Sequence, residues 1–400
     1  MAPRLMHVDL DAFFVEVCRQ RNPQLRGVEL LVVGGRRESR GVVQSASYGA
    51  RRFGIRAGMP IAQAVARCPQ ATFYKGEFGW YREASRQVRG VFERFSPVVV
   101  MASLDEGYLD FSGTERLHPV SLLPVAEALR DAVRAEAGLD VSIGIGTNRM
   151  IAKLASDAAK PRGLLEVRAG WEEGFLAGLA LRALPGVGPK AAARLASLGL
   201  SEVWQVQQRS EQQLEALLGE EGRHLKWRAH GHGGTTLQPD RAPKSVSRET
   251  TFSTDLRDPE EIESVLLLFA TRVAAQLRRE QLVARTVTLK LRHDDFRTVT
   301  RRLTLPDATD LDRDLFEAAR ALFREAFDEV RRRDRGVRLV GLAATNLATS
   351  SAPDLFEPPD RERQRRLSAA MDEVREKYGF DAMQPGRLLG LRRRARGPRD

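Results

Sequence analysis

The stretch Met6-His7-Val8-Asp9-Leu10-Asp11 and a second one about a hundred residues later, Ser103-Leu104-Asp105-Glu106-Gly107-Tyr108, decide the fold of this chain. Apolar and polar residues alternate in the first stretch, which predicts a β-strand that ends in carboxylates. The end of a strand is where a fold can gather oxygen ligands around magnesium without burying an unpaired charge. If the two stretches are neighbours in one sheet, they form a two-metal site for phosphoryl transfer.

The composition indicates a soluble globular protein of two to four domains. The 400 residues include 42% hydrophobic residues, enough to give each domain a core. The formal net charge is +11 and the sequence pI is about 10.1, which favour a polyanionic partner, with nucleic acid as the leading candidate. A basic protein that merely stays soluble remains the alternative from charge alone.

Cysteine usage and hydropathy favour a cytoplasmic protein. Cys18 and Cys68 are the only cysteines, too few for a disulfide framework and without the paired spacing of a zinc site, so both are expected to be reduced. No apolar run long enough for a signal peptide precedes Asp9. No stretch approaches the roughly 20 apolar residues of a membrane span.

Strands and helices alternate around the acidic residues in the first part of the chain. Residues 27–75 interrupt this pattern with short strands and short helices, which indicates a small insertion. Residues 171–234 read as helical throughout, with a turn at Pro185-Gly186-Val187-Gly188. The strands of the main sheet are predicted at 4–10, 98–101, 108–111 and 141–146, with a turn at Asp105–Glu106. Helices are predicted at 12–20 and 124–137. A third helix is capped by Thr147 or Asn148 and ends at Pro161.

A linker and a second domain follow. Residues 235–246 contain two prolines and little apolar content, which is typical of a linker. The pattern after it predicts a βαββαβ unit with two helices on one face of a sheet. Its elements are predicted at 245–252, 259–279, 286–292, 297–305, 311–332 and 337–342. The tail from residue 346 is expected to hold one helix, near 365–378, within flexible basic sequence.

Four motifs resemble those of the Y-family translesion DNA polymerases, most closely the DinB branch. Taken singly, the acidic residues are also explained by a hairpin turn and a strand end, so their spacing alone leaves both readings open. The resemblance runs in order from residue 6 to about residue 345. It is carried by Val8–Phe14, Ser103–Asp110, Gly144–Asn148 with Ala152–Ser156, and Lys160–Gly163.

The resemblance implies an α+β multidomain fold arranged as a right-hand polymerase. The palm is a mixed sheet with helices, the fingers are small, the helical thumb contains a helix-hairpin-helix, and the little finger is the βαββαβ domain. The implied boundaries are 1–26 and 76–166 for the palm, 27–75 for the fingers, 167–234 for the thumb, 235–246 for the linker, 247–345 for the little finger and 346–400 for the tail.

The predicted catalytic residues are Asp9, Asp105 and Glu106. Together with the backbone carbonyl of Leu10 they are expected to hold two Mg²⁺ ions, since magnesium takes few carboxylates and completes its shell with phosphate and water. Phe14 follows the metal-binding strand, and the resemblance implies that it is a steric gate against the 2′-hydroxyl of ribonucleotides. Phe13 is grouped with the nucleotide site as well, although a core position is the simpler reading for it.

The triphosphate of the nucleotide is expected to bind basic and hydroxyl side chains. Tyr48 and Arg51 lie three residues apart and hence on one helical face, where arginine presents a fixed fork of donors. Ser45 belongs to the same segment, and the resemblance places Lys160 at the triphosphate. Lys153 is more simply read as part of a solvated basic face.

DNA contacts are predicted at two places. Gly186, Gly188 and Lys190 form a helix-hairpin-helix turn whose backbone N–H groups can bind a phosphate without reading sequence. In the second domain, basic residues alternate with leucines or threonines, which predicts a basic sheet face against DNA or, alternatively, solvated edge charge. The candidates there are Lys244, Arg248, Lys290, Arg292, Arg297 and Arg301.

These predictions describe a DNA-directed DNA polymerase that adds deoxynucleotides to a primer with low fidelity and low processivity, past damaged template bases. Primer-template DNA and deoxynucleoside triphosphates are the expected ligands, and the protein is expected to be a monomer located in the cytoplasm and associated with the nucleoid on DNA. A sliding clamp is the expected partner of the tail, through Ala352–Phe356 or Gln384–Leu391. A palm-fold nucleotidyl cyclase and an inactive relative that serves as a DNA- or clamp-binding scaffold are the alternatives.

Overall fold

The strand that ends in Asp9 is the central strand of a five-stranded sheet. In the computed structural model the chain divides into two units, residues 1–240 and 241–400, and the division falls inside the predicted linker. The structure describes residues 3–237, 242–332, 335–350 and 359–388.

The first unit is built from short strands and helices in alternation. Its strands are β1 (Leu5–Leu10), β2 (Leu31–Val33), β3 (Ser45–Ala46), β4 (Thr72–Tyr74), β5 (Val99–Met101), β6 (Glu106–Asp110), β7 (Val141–Gly146) and β8 (Leu164–Glu166). Its helices are α1 (Phe13–Arg21), α2 (Tyr48–Arg51), α3 (Ile61–Arg67), α4 (Phe78–Phe95), α5 (Leu123–Ala137), α6 (Arg149–Ala159), α7 (Glu172–Ala177), α8 (Pro189–Ser197), α9 (Val203–Gln207), α10 (Glu211–Leu218) and α11 (Glu220–Ala229). Short 3-10 turns lie at Pro23–Leu25 and Leu181–Ala183.

The main sheet has the strand order β5-β6-β1-β7-β8. Met6, Val8 and Leu10 alternate along β1 and are buried in one core with residues of α1, α4 and α5. The residues between them, His7 and Asp9, therefore point to the opposite face of the sheet, which α6 covers. The alternation of apolar and polar residues along β1 therefore places the Asp9 side chain outside the apolar core.

Close approach of α6 to this sheet depends on glycine in β7. A Cβ atom on Gly144 would lie 2.1 Å from the carbonyl oxygen of Ala152 and 2.1 Å from the amide nitrogen of Ser156. The helix begins at the predicted cap, because the Asn148 side chain accepts a hydrogen bond from the Ile151 amide at 3.1 Å. The packed helix then carries Lys153 over the strand ends.

Separate groups of buried side chains lie in the predicted fingers and thumb. The sheet β3-β2-β4 and its helices enclose a small core that includes Val32, Ile55 and Ala64. The helices α7 to α11 share another core with α6, and Leu154, Leu184 and Val203 are among its members. The division into palm, fingers and thumb stays a prediction: the fingers have a core of their own, whereas the thumb core is continuous with α6 of the palm.

The second unit has the predicted order βαββαβ. Its elements are β9 (Ser245–Leu256), α12 (Pro259–Arg279), β10 (Leu282–His293), β11 (Thr298–Thr309), α13 (Asp312–Arg332) and β12 (Val337–Thr349). The strands form an antiparallel sheet in the order β11-β10-β12-β9. Apolar residues of α12 and α13 pack on one face of it, so the other face is open.

The tail differs from the prediction. Its helix, α14 (Pro359–Tyr378), begins earlier than expected, and 3-10 turns at Phe380–Ala382 and Gly386–Leu388 follow where flexible sequence was expected. Proline is favoured in the first turn of a helix, and Asp360 and Glu362 are favourable near its N-terminus. Ion pairs with the second unit, described below, hold this part of the tail.

Gly144→Ala should lower the free energy of unfolding by about 1–3 kcal/mol, because the added methyl group meets backbone atoms of α6 that cannot move independently. Urea denaturation measures the change. The matched control is Gly90→Ala in α4, where a Cβ atom meets nothing within 4 Å. Glycine inside a helix costs about 0.5–1 kcal/mol relative to alanine, so the control should be slightly stabilised. Equal effects of the two substitutions would contradict the packing described here.

Candidate active site

Asp9 and Glu106 lie directly opposite each other on β1 and β6. They are partners in the antiparallel ladder, and the Leu10 amide donates to the Asp105 carbonyl oxygen at 2.8 Å. Opposed residues of an antiparallel pair carry their side chains on the same face of the sheet. The structure therefore brings the Asp9 and Glu106 side chains to one face, and Asp105 lines the same cavity as Asp9, although Glu106 is the first residue of β6 rather than part of the turn.

Two lysine side chains neutralise these carboxylates. Lys160 Nζ lies 2.7 Å from Asp9 Oδ2, and Lys153 Nζ lies 2.5 Å from Glu106 Oε2. Burial raises the pKa of Asp9, and the attraction of Lys160 offsets this only in part. The pKa of Glu106 is lowered to about 2, because His7 and Lys153 favour its charged form more than burial disfavours it. Lys153 therefore faces the acidic centre and is not part of a solvated surface.

His7 is a buried part of this centre that the sequence analysis did not select. The Ser156 hydroxyl donates to the Lys153 carbonyl oxygen at 2.8 Å, so His7 Nδ1, 2.7 Å from the same hydroxyl, has to be the donor in that contact. His7 Nε2 then faces Glu106 Oε2 at 3.4 Å. A polar residue two positions before Asp9, on the same face of the strand, was the available signal.

The donor set fits divalent metal ions. Three acidic residues with hard oxygen atoms lie at one strand end, and two ammonium groups compensate their charge. Among residues 3–237 and the described parts of the second unit, no three His, Cys, Asp or Glu side chains are grouped as a metal site. Asp9 and Glu106 instead bind the lysines, and the Asp105 carboxylate accepts from the Ser103 hydroxyl. The two ammonium groups occupy positions at Asp9 and Glu106 where cations are bound, which fits carboxylates that would hold metal ions.

A cavity of about 360 Å³ opens beside the acidic centre. It joins the end of β1 to residues of the predicted fingers, and it includes every residue predicted to bind the nucleotide. Its lining consists of Asp9, Leu10, Asp11, Ala12, Phe13, Phe14, Gln44, Ser45, Ala46, Tyr48, Arg51, Ile55, Arg56, Ala57, Asp105 and Lys160. Glu106 lies outside this lining. Gln44 and Arg56 were not selected from the sequence, because they belong to no recognised spacing.

Phe13 and Phe14 have different surroundings. Phe13 is only 2% exposed and belongs to the core. Phe14 is partly buried, and its ring meets the Tyr81 ring edge to face at a centroid distance of 4.3 Å. A hydrogen-bond-length contact of 3.2 Å between the Tyr81 hydroxyl and Cys18 Sγ fixes the supporting ring in turn. Of the two phenylalanines, Phe14 is therefore the one that can face a ligand in the cavity.

Tyr48 and Arg51 lie together on α2, as predicted. The Arg51 guanidinium carbon is 4.7 Å from the centroid of the Tyr48 ring, and Arg51 Nε donates to the Ala46 carbonyl oxygen at 2.9 Å. The Tyr48 hydroxyl donates to Asp11 Oδ1 at 2.7 Å. Burial and the contact with Asp11 both raise the pKa of the Tyr48 phenol. Tyr48 is therefore a neutral donor, and the outer nitrogens of Arg51 can bind an anion.

Asp11 is a buried carboxylate of the cavity lining that accepts hydrogen bonds from several segments. It is 4% exposed, and its Oδ2 accepts from the Ser142 hydroxyl at 2.9 Å and from the Arg162 amide at 2.8 Å. With the Tyr48 bond, this one carboxylate joins β1, β7, α2 and the segment after α6. The sequence showed Asp11 inside the first motif but gave no reason to separate its role from that of Asp9.

The predicted hairpin turn precedes α8. Gly186 has a φ angle of 89°, and a Cβ atom there would lie 2.6 Å from Arg228 Nη1, so this position requires glycine. The Arg228 guanidinium donates to the Pro185 carbonyl oxygen and holds the turn. Gly188 is the N-cap residue of α8 and has no side chain to close the helix N-terminus. Lys190 is exposed in the first turn.

The open face of the second-unit sheet differs in part from the prediction. Lys290 pairs with Thr300 and Arg292 with Thr298, and Arg292 Nε donates to the Thr298 hydroxyl at 2.9 Å. Lys290 Nζ is 2.8 Å from Glu249 Oε2. These side chains share the face that no helix covers.

The placement of Arg301 on this open face is wrong. Arg301 pairs with the core residue Leu289, so it lies on the side of the helices, and its Nε is 3.9 Å from Glu325 on α13. Arg302 pairs with Thr288 and takes the open position instead. The cause is the two-residue period of a strand, in which a register error of one residue exchanges the faces.

The other three candidates in this unit also lie apart from the centre of the open face. Arg248 pairs with the buried Leu342 and donates to Gln276 Oε1 on α12 at 2.7 Å, so it belongs to the helix side. Arg297 precedes β11, and its carbonyl oxygen accepts from the His293 amide. Lys244 is exposed just before β9.

Comparison with known proteins assigns the family. Residues 8–157 match the impB/mucB/samB family, and residues 243–355 match the impB/mucB/samB family C-terminal domain. A DNA polymerase IV of Dehalococcoides mccartyi (strain CBDB1) is 38% identical over 389 residues, which cover 97% of this chain and 98% of that protein. A DNA polymerase IV of Halorhodospira halophila is 41% identical over 354 residues, 88% of this chain and 98% of that protein.

Solved structures agree with these matches. A chimera of the Y-family DNA polymerases Dbh and Dpo4 superposes with a TM-score of 0.75 at 25% identity, over 87% of this chain and 100% of the chimera. The insertion ternary complex of Dbh DNA polymerase has the same fold, with a TM-score of 0.58, 24% identity and coverage of 87% of this chain and 100% of that one. In the described residues no helix is long and apolar enough to cross a membrane. The chain belongs to the DinB branch of the Y-family DNA polymerases.

Proposed function

We propose that this chain extends a DNA primer in the cavity beside Asp9, by two-metal transfer of a nucleotidyl group to the primer 3′ end. As a Y-family member of the DinB branch it is a DNA-directed DNA polymerase of translesion synthesis. The observation that carries the residue assignment is the opposition of Asp9 and Glu106 at the mouth of a cavity lined by Phe14, Tyr48 and Arg51.

Divalent metal ions are required by polymerases of this family, and we assign two Mg²⁺ ions to this site. Asp9, Asp105 and Glu106 would hold them with the Leu10 carbonyl oxygen. Bound Mg²⁺ supplies activation of the primer hydroxyl and stabilisation of the charge on the phosphates. The ammonium groups of Lys160 and Lys153 compensate part of the negative charge of Asp9 and Glu106.

The remaining residues of the cavity position the triphosphate. Arg51 offers its outer nitrogens to phosphate oxygens, and the stacked Tyr48 ring holds the guanidinium in place. Ser45 is a further hydroxyl at the cavity wall. Lys160 reaches the same region from the segment after α6, so it can move from Asp9 to a phosphate when metal binds Asp9. Catalysis by these residues consists of positioning and electrostatic stabilisation.

The small fingers explain the tolerance of damaged templates. The fingers segment is rich in small residues, including Gly49, Ala50 and Ala57, and Ala57 lines the cavity, so such a segment would hold the nascent base pair loosely. A loosely held pair is discriminated weakly, which gives low fidelity and permits a damaged template base. Low processivity belongs to the same proposal.

DNA is bound at the hairpin of the first unit and at the open face of the second. Gly186, Gly188 and Lys190 present backbone N–H groups and one ammonium group to a phosphate. Lys290, Arg292 and Arg302 supply the positive charge of the open face, Lys244 and Arg297 lie just outside its strands, and Arg248 on the helix side is a more distant candidate. We further propose that the protein acts as a cytoplasmic, nucleoid-associated monomer whose tail binds a sliding clamp. Residues 352–356, one candidate for that contact, lie outside the described residues.

An inactive scaffold is disfavoured, because Asp9 faces Glu106 across β1 and β6 and Asp105 lines the same cavity as Asp9. A nucleotidyl cyclase would leave the hairpin and the basic second unit unexplained.

Asp105→Asn should reduce primer extension by at least about a hundredfold, because it removes a charge on which the transferred phosphate depends. The assay is extension of a primed oligonucleotide past a defined adduct, with and without Mg²⁺. Asp131→Asn, on the surface of α5, is the matched control and should extend like the unmodified chain. Full activity of the Asp105 variant would refute the assignment.

Phe14→Ala should allow ribonucleotides into the cavity. Loss of the ring removes the clash with the 2′-hydroxyl, and a steric contact of this size is worth about 10- to 200-fold in discrimination. The ratio of kcat/KM for deoxyribonucleotides and ribonucleotides measures the effect. Phe53→Ala, an exposed phenylalanine outside the cavity lining, is the control. A ratio unchanged by Phe14→Ala would remove this residue from the gate.

Arg302→Ala should weaken DNA binding and reduce the slope of log affinity against log salt by about 0.9, the value for one lost phosphate contact. Arg301→Ala is the matched control one residue away, and it should leave the slope unchanged because Arg301 lies on the helix side. Fluorescence anisotropy with labelled primer-template at several salt concentrations measures both. A reduced slope for Arg301→Ala together with an unchanged slope for Arg302→Ala would show that the helix side binds DNA.

A further inference from the structure

The tail folds back on the second unit through arginine–carboxylate pairs. Arg278 of α12 donates from Nε to Asp372 of α14 at 2.7 Å and from Nη1 to Asp312 of α13 at 2.8 Å. Arg361 of α14 donates to Asp314 of α13 at 2.9 Å. The arginine that links all three helices, Arg278, is largely buried, so these pairs are poorly screened by solvent.

The chain reverses after α14 and returns toward α12. Gly379 has a φ angle of 90°, which permits the reversal. The guanidinium carbons of Arg272 and Arg375 lie 5.1 Å and 4.8 Å from the centroid of the Phe380 ring. Arg375, itself buried, also donates from Nε to the Met383 carbonyl oxygen at 3.0 Å. The reversal is therefore held in a defined position.

The segment Gln384–Leu388, here called the tail peptide, packs against α12. Its binding position on α12, which includes Glu263, is here called the seat. The Leu388 side chain is 1% exposed, and the Leu388 amide donates to the Pro385 carbonyl oxygen at 2.9 Å. Arg387 Nη2 lies 3.1 Å from Glu263 Oε2. The tail peptide is thus bound by one buried apolar side chain and one charged hydrogen bond.

The seat keeps its charge balance when the tail peptide leaves. Glu263, with a side chain only 8% exposed, is also bound by Arg320 at 3.0 Å and by Arg324 at 3.2 Å, both on α13. Burial opposes the charge of Glu263, yet the arginines lower its pKa overall. Departure of Arg387 therefore leaves no unpaired buried carboxylate, and the bond can be broken without a large penalty.

We propose that the tail peptide is an internal ligand of the second unit, and that the sliding clamp binds it only after it leaves the seat at Glu263. This rests on the clamp binding proposed above and names the regulation of that contact. A clamp pocket that takes Leu388 competes with the seat, because the same side chain cannot be buried in both. The apparent affinity for the clamp then equals the intrinsic affinity multiplied by the fraction of undocked tail.

The test is Glu263→Gln in the full-length chain, which weakens the seat and leaves the sequence of the tail peptide intact. Loss of a charged hydrogen bond should raise hydrogen exchange of the Leu388 amide by about tenfold or more. Binding to the purified sliding clamp, measured by surface plasmon resonance, should tighten by the same factor. Glu260→Gln, an exposed residue one turn earlier on α12, is the matched control.

Leu388→Ala should change the affinity for the clamp in the opposite direction. It should also raise exchange across residues 386–388, but it should weaken clamp binding because the shared apolar side chain is lost. Unchanged exchange in Glu263→Gln, or faster exchange without tighter clamp binding, overturns the proposal. Primer extension without clamp should be equal in all variants. If every variant extends primers but none binds the clamp, the clamp contact and its regulation are rejected. The polymerase assignment would then remain intact.

Discussion

The antiparallel pairing of β1 with β6 is the constraint on which the rest of this molecule depends. It sets Asp9 opposite Glu106, on the face that α6 covers, and it sends the alternate residues of β1 into the core. A shift of one residue would turn the Asp9 carboxylate into the apolar core and turn Val8 toward α6. The fold and the chemistry therefore share one register, and neither can change without the other.

Charge compensation by chain residues is the second consequence of that register. Two carboxylates next to each other in a poorly solvated site repel, and the ammonium groups of Lys153 and Lys160, from α6 and its C-cap, oppose this repulsion, at Asp9 only in part. Asp11 shows a different solution, since neutral donors from three segments satisfy it. One short motif thus contains an acidic residue that faces metal and substrate and another that shapes the cavity.

In the second unit, arginine–carboxylate ion pairs hold the tail against α12 and α13. The apolar faces of α12 and α13 already complete the domain core, so the tail adds contacts to a sheet that is covered without it. Elements attached in this way are suited to exchange, because their release exposes little of the core. Among the described residues, no helix of the tail packs on the open sheet face, which carries short polar side chains between its basic residues.

The sequence by itself determined the element order, the two acidic strand ends, the βαββαβ unit and, through its motifs, the family. Local periodicity and turn residues suffice for these, since they depend on neighbours along the chain. Tertiary structure alone decided that Lys153 and His7 join the acidic centre, that Arg302 rather than Arg301 occupies the open face, and that the tail docks. Those outcomes depend on strand register and on contacts between distant segments, which a periodic pattern does not contain.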